Sequence, residues 1–329
     1  MLVNGKWTAE WQPVQATDEQ GGFVRQVSGF RNWITPDGTA GPTGEGGFKA
    51  ERGRYHLYVA LICPWASRTL IARRLKGLED SISVSVVEPT LGDFGWGFGN
   101  YPGSTSDPLH DARYIHELYT RAEPSYTGRA TVPVLWDKER DTIVNNESAD
   151  ILRMFNTGFG GLADEAVDLY PLALRDSIDA LNEAIYPALN NGVYRAGFAT
   201  TQVAYEEAFR DVFGMLDALE NRLERTGPFL TGSHLTEADI RLFVTLVRFD
   251  AAYFSLFKCN LRRISDYPHL NEYLTHMLTV PGVRETVNID HIKRGYYSIK
   301  ALNPTLIVPV GPHLPGLDDV IAPTTRGNV

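Results

Sequence analysis

The chain has 329 residues, with 31 Lys and Arg against 40 Asp and Glu, a formal net charge of −9 and 43% hydrophobic content. That length suits two ordinary domains, each with its own core. The acidic balance argues against nucleic acid and membrane lipid as partners, because both need a basic face to displace counterions. Two cysteines, Cys63 and Cys259, make no disulfide framework, so a reducing compartment, the cytoplasm, is expected. The first residues show no basic region running into an apolar one, and no stretch is apolar over the ~18 residues that a membrane span needs.

Residues 1–50 are rich in Gly, Thr, Pro and aromatics and lack periodicity. They read as an irregular arm, with Trp7 and Trp11 expected to pack on the body. Order begins at RYHLYVALI (54–62), whose aromatic and β-branched content predicts a strand. Next come Cys63-Pro64 and TLIARRLKGL (69–78), with helical spacing and a stop at Gly77. SISVSVVE (81–88) alternates as a second strand, so the first ordered unit is strand, helix, strand with Cys63 at the strand-to-helix turn.

Residues 89–126 break that rhythm with a Gly-, Pro- and aromatic-rich insertion and a short helical stretch, ARYIHELYTRA. Long ordered insertions are usually functional. TVPVLWD (131–137) and Thr142-Ile143-Val144 predict a hairpin, followed by a helix start at NESADILRMF (146–155) and a Gly-rich linker over 157–165. From about 166 onward four segments have helical periodicity, and the Pro-rich tail from Asn303 is expected on the surface.

A cysteine at a helix N-terminus is favoured as a thiolate by the unpaired amides and the helix dipole. Pro64 suits the first helical position, and Arg68, one turn on, is placed to add positive potential. A dithiol oxidoreductase has its second cysteine three residues after the first; here that position is Ala66, so an external thiol must clear any mixed disulfide. The plain alternative is a buried cysteine at a tight turn, and Cys259 reads as core. Thr131-Val132-Pro133 fits a cis-proline turn that leaves the Val132 backbone free to pair with an extended peptide, or a trans proline at a strand edge. Glu147 and Ser148 open a helix where an anion could meet a hydroxyl and free amides, and Glu147 could hold an ammonium. Thr236 and Asp239 form a capping box, a folding element with no chemistry assigned.

The ordered set CPWAxR, TVPVLWD, NNESADILR and LTEADIRLF resembles a glutathione transferase over nearly the whole chain. CPWA, the aromatic insertion, NGVYRAGFA and HIKRGYY narrow the resemblance to the glutathionyl-hydroquinone reductases, the xi class. This implies a thioredoxin-like α/β domain over 51–160 followed by an all-α domain with a C-terminal extension over 166–325. It implies Cys63 as nucleophile, with Trp96, Arg129, Val132, Glu147 and Ser148 around glutathione, and Tyr194 and Tyr296 donating to the hydroquinone oxygens. Tyr297 is the neighbour that could exchange roles with Tyr296; by composition alone all three tyrosines are packing residues. Glutathione would be a co-substrate with no permanently bound cofactor and no metal, aromatic glutathione conjugates the other substrates, and the assembly a homodimer. An omega-like thioltransferase or dehydroascorbate reductase and a non-catalytic binding protein on the same fold are the rival readings.

Overall fold

The computed structural model describes residues 1–8, 16–314 and 316–317; Trp11 and the end of the C-terminal extension lie outside them. A two-stranded ribbon of β1 (Leu2–Val3) and β2 (Lys6–Trp7) starts the chain. The described part of the arm from residue 16 lies against the body. Leu2 bridges Gly128, Arg31 bridges Asn145, and Thr200 N–H donates to Gly21 O at 3.1 Å, so the arm touches both halves of the molecule.

β3 (Tyr55–Val59), buried along its whole length, leads into α1 (Pro64–Leu75) and then β4 (Ile82–Val86). β3 and β4 pair in parallel, as the strand–helix–strand pattern requires. The insertion holds a small hairpin, β5 (Leu91–Gly92) with β6 (Gly95–Trp96), and the helix α2 (Ile115–Ala122). β7 (Val134–Asp137) and β8 (Thr142–Asn145) complete a four-stranded mixed sheet in the order β4-β3-β7-β8. β3 is central and covered on both faces, which is why YHLYV lacks a polar side.

α3 (Ser148–Arg153) runs into a π-helical turn over 154–158. The helical half follows: α4 (Arg175–Ile185), α5 (Gly192–Gly197), α6 (Gln202–Thr226), α7 (Glu237–Arg248), α8 (Pro268–Thr279) and α9 (Ile289–Tyr297). The predicted capping box forms: Thr236 N–H donates to Asp239 Oδ2 at 2.8 Å, and Leu230 N–H to Asp239 Oδ1 at 2.8 Å. α7 is thereby pinned at its start, buried along nearly its whole length and packed on α1. α4 and α7 each end in a π-helical turn, over 186–190 and 249–253, a distortion common at functional sites. α5 and α9, too short for periodicity to reveal, close the cleft. Gly295 lets α9 approach, because a Cβ there would meet Ile62 Cδ1 at 2.3 Å and Pro89 O at 2.5 Å.

Candidate active site

Cys63 caps the N-terminus of α1 with an extended backbone, and Pro64 takes the first helical position. The sulfur is half-buried and donates to Val132 O at 3.6 Å across the cleft. Val132 precedes a cis proline, so the first of the two readings of TVP holds, and its backbone lines the cleft beside the thiol. The thiol departs from the sequence expectation. Burial pushes Cys63 above its ordinary value, outweighing the downward pull of the Ala66 and Trp65 amides and of the Arg248 and Arg25 guanidiniums.

Arg68 is engaged elsewhere. It turns away, fully buried, with Nη2 donating to Asn190 Oδ1 at 3.0 Å and Nη1 to Ser148 Oγ at 3.5 Å, while its guanidinium covers the Trp65 ring at 4.5 Å. Burial and Arg241 lower it to about 9. Its positive field falls on the start of α3, where Ser148 is the first helical residue.

Two adjoining cavities meet at Arg25, Trp65, Arg129 and Val132. The more polar one is lined by Glu147, Ser148, Asn146 and Ser28. Glu147 accepts from Ala149 N–H at 3.1 Å and Ser28 Oγ at 3.0 Å, so its carboxylate caps its own helix and faces the cavity at once. The second cavity is largely apolar and holds Cys63, Trp96, Tyr194 and Tyr296, with Phe23, Phe198 and Leu91. Burial, then Arg25, lowers Arg129 to about 10. A polar cleft that opens on an aromatic cavity holding a thiol fits a peptide thiol joined to a ring.

Known proteins share this fold. The family models for the N-terminal and C-terminal domains of glutathione S-transferase match residues 62–157 and 202–276. The chain is 54% identical to a glutathionyl-hydroquinone reductase of Escherichia coli, covering 94% of each, and 48% identical to one of Sphingobium chlorophenolicum, covering 96% of this chain and 98% of the other. It superposes on the glutathione-bound structure of the Escherichia coli protein with a TM-score of 0.87, at 52% identity over 95% of this chain and 96% of that one. It also superposes on the xi glutathione transferase of Phanerochaete chrysosporium with a TM-score of 0.86, at 50% identity over 91% of this chain and 97% of that one. The chain belongs to the xi-class glutathione transferases.

In this transferase the two tyrosines picked from sequence meet. Tyr194, on α5, and Tyr296, on α9, are 2.6 Å apart at their hydroxyls. A third tyrosine went unseen in the sequence. Tyr253, in the π-helical turn after α7, lies 2.7 Å from the Tyr296 hydroxyl and 3.5 Å from that of Tyr194. Burial raises all three, Tyr253 and Tyr296 well above the ordinary tyrosine value. At neutral pH they are hydroxyl donors, not phenolates. Tyr297 is not part of this group. One residue further round α9, it points away from the cavity, and its hydroxyl pairs with Ser255 Oγ at 2.7 Å.

The arm supplies the other residues that sequence reasoning missed. Phe23, Arg25 and Ser28 reach the cleft from a segment read as irregular cover. Arg25 Nε donates to Asn191 Oδ1 at 2.9 Å, and its guanidinium lies 4.7 Å from the Trp65 ring and 4.9 Å from the Tyr194 ring. A cation between two aromatics in an otherwise polar and glycine-rich stretch leaves no spacing signal. Cys259 is core, fully buried and pushed up to about 12. Among the described residues no cluster of ligating side chains fits a metal, and no helix is long and apolar enough to cross a membrane.

Proposed function

We propose that this chain reduces glutathionyl-hydroquinones to hydroquinones, with glutathione as reductant, through a Cys63–glutathione mixed disulfide. The observation that carries it is one cavity lined by Cys63, Tyr194 and Tyr296, the two tyrosines joined at their hydroxyls, and adjoining the polar cleft. Val132 would pair with the glutathione backbone, Glu147 and Ser148 would take its γ-glutamyl end, and Trp96 and Arg129 would line the remainder. The Cys63 thiolate attacks the glutathionyl sulfur, and the carbon–sulfur bond breaks as the disulfide forms.

An aryl carbanion is a poor leaving group. If a ring hydroxyl proton moves to the sulfur-bearing carbon, the ring becomes a keto tautomer, and the bonding pair then departs into a phenolate rather than onto carbon. Tyrosine hydroxyls held protonated by burial stabilise that developing oxyanion. Three hydroxyls joined by two short hydrogen bonds use two of their protons on one another, which leaves one to direct at the substrate. The phenolate takes up one proton to give the hydroquinone. With Ala66 where a resolving cysteine would stand, a second glutathione attacks the mixed disulfide, releasing oxidised glutathione and the Cys63 thiol. The same reading places the chain in the cytoplasm as a homodimer, in keeping with its two unpaired thiols and its family.

The test is mass spectrometry on a menadiol or chlorohydroquinone glutathione conjugate. With glutathione, the free hydroquinone and oxidised glutathione should appear in equal amounts. With glutathione withheld, one hydroquinone should form per active site, and the protein should gain one glutathionyl group that Cys63→Ser does not. Turnover without added thiol would sink the monothiol cycle. Reduction of simple glutathione disulfides with no action on the conjugate would mark a general thioltransferase.

A further inference from the structure

Arg248, the last residue of α7, is buried, yet among the described residues no carboxylate pairs with it. Its donors go to neutral oxygens: Nε to Ile62 O at 2.8 Å, Nη1 to Val244 O at 2.7 Å, and Nη2 to Leu61 O at 2.9 Å and Ser67 Oγ at 2.6 Å. Ser67 Oγ in turn donates to Cys63 O at 3.1 Å. The guanidinium therefore grips the nucleophile turn from both sides, at the two residues before Cys63 and at the first turn of α1. The neighbouring acid in sequence, Asp250, faces the other way and accepts from Ile264 and Ser265 amides. Burying a cation without a counter-anion is expensive, and neutral hydrogen bonds offset only part of that cost. The anion formed close by during the proposed cycle is the Cys63 thiolate.

We propose that Arg248 is a positioning residue for the reaction, holding the Cys63 turn in place and supplying, from the helical half, the counter-charge of the thiolate. The groups facing Cys63 fit that role. Arg25 approaches from the arm and Arg129 from the loop before β7, while Tyr194 and Tyr296 face it from α5 and α9 as neutral hydroxyls. Arg68, on α1 itself, is engaged with Ser148 and Asn190. Arg248 pulls Cys63, Tyr253 and Tyr296 in the same direction, toward the anion. One helix thus delivers a charge to the nucleophile and, one turn later, the Tyr253 hydroxyl.

The experiment compares full-length wild type, Arg248→Gln and Arg248→Lys. Iodoacetamide alkylation of Cys63 is followed by mass spectrometry across pH, alongside single-turnover reduction of the glutathione–mercaptoethanol disulfide. Arg248→Gln should move the alkylation midpoint up by about one unit, slowing the first step about ten-fold at neutral pH and less at alkaline pH. Arg248→Lys, which keeps the charge but not the fork of donors, should keep the wild-type midpoint while lowering the melting temperature. A Gln variant that melts lower but titrates as wild type would reduce Arg248 to scaffolding and overturn the proposal. Should the Gln variant not fold, the Lys variant decides, and a raised midpoint there overturns it equally. This role presupposes Cys63 as nucleophile, and the two fail separately. Turnover by Cys63→Ser removes the nucleophile, whereas an unmoved Gln profile beside an inactive Cys63→Ser removes only the counter-charge.

Discussion

Replacing Tyr296 and Tyr194 singly by Phe should separate a chemical role from packing, with unequal costs in stability. Each substitution keeps the ring and deletes one hydroxyl. Tyr296 bonds both neighbours, at 2.6 and 2.7 Å, so its loss leaves the buried Tyr253 hydroxyl with Tyr194 alone, 3.5 Å away. An orphaned buried hydroxyl costs roughly 1–3 kcal/mol, so Tyr296→Phe should lower the unfolding free energy by that amount. Tyr194→Phe leaves the 2.7 Å pair of Tyr253 and Tyr296 intact and should cost less than about 1 kcal/mol. From sequence alone neither change would be expected to affect stability. In catalysis, both should slow turnover of a glutathionyl-hydroquinone about ten- to a hundred-fold, equivalent to roughly 1.4–2.7 kcal/mol of transition-state stabilisation. The control is the mixed disulfide of glutathione with mercaptoethanol. Its sulfur leaving group needs no phenolic assistance, so both variants should reduce it at near wild-type rates. The assays are steady-state turnover on the two substrates and urea unfolding of each variant. Equal slowing on both substrates would refute the donor role, and equal stability losses would refute the three-hydroxyl arrangement.

Two further outcomes follow from burial. Cys63 in the ligand-free protein should react with iodoacetamide increasingly through and above the ordinary thiol range near pH 8.5, while Cys259, pushed up to about 12, stays unlabelled until the fold is lost; a Cys63 midpoint well below that range would contradict the burial argument. His56 sits buried between Ser83 Oγ at 2.7 Å and Ser85 Oγ at 3.0 Å and is lowered to about 4, chiefly by burial. The unfolded chain therefore binds a proton near pH 6.5 that the native state refuses, so this stability is present above pH 6.5 and lost as pH falls toward 4. The loss approaches about 3 kcal/mol, read as the pH-dependent difference in unfolding free energy between wild type and His56→Gln; a difference independent of pH would refute it.

The sequence by itself determined what depends on neighbours along the chain. The strand–helix–strand unit, the placing of Cys63 before Pro64, the β7–β8 hairpin and the Thr236–Asp239 cap each rest on residues within a few positions of one another, where periodicity and capping chemistry act directly. The resemblance of ordered motifs then brought Tyr194 and Tyr296 together on paper, though they stand 102 positions apart. What only the tertiary structure decided involves side chains whose partners lie far off in sequence. Arg248 meets Leu61 across 187 residues, Arg25 meets Asn191 across 166, and Arg68 turns from its neighbour Cys63 to Asn190 across 122. The expected low-pKa thiol failed for the same reason. A helix N-terminus is a local feature that lowers a thiol's pKa, whereas burial is set by the arm, α5 and α9 folding over the cleft, and here burial is the larger effect. Tyr253 was hidden because a residue in an apolar helical run looks the same to sequence whether its hydroxyl meets water, core or another hydroxyl; only the packing of the π-helical turn after α7 against α9 settles which.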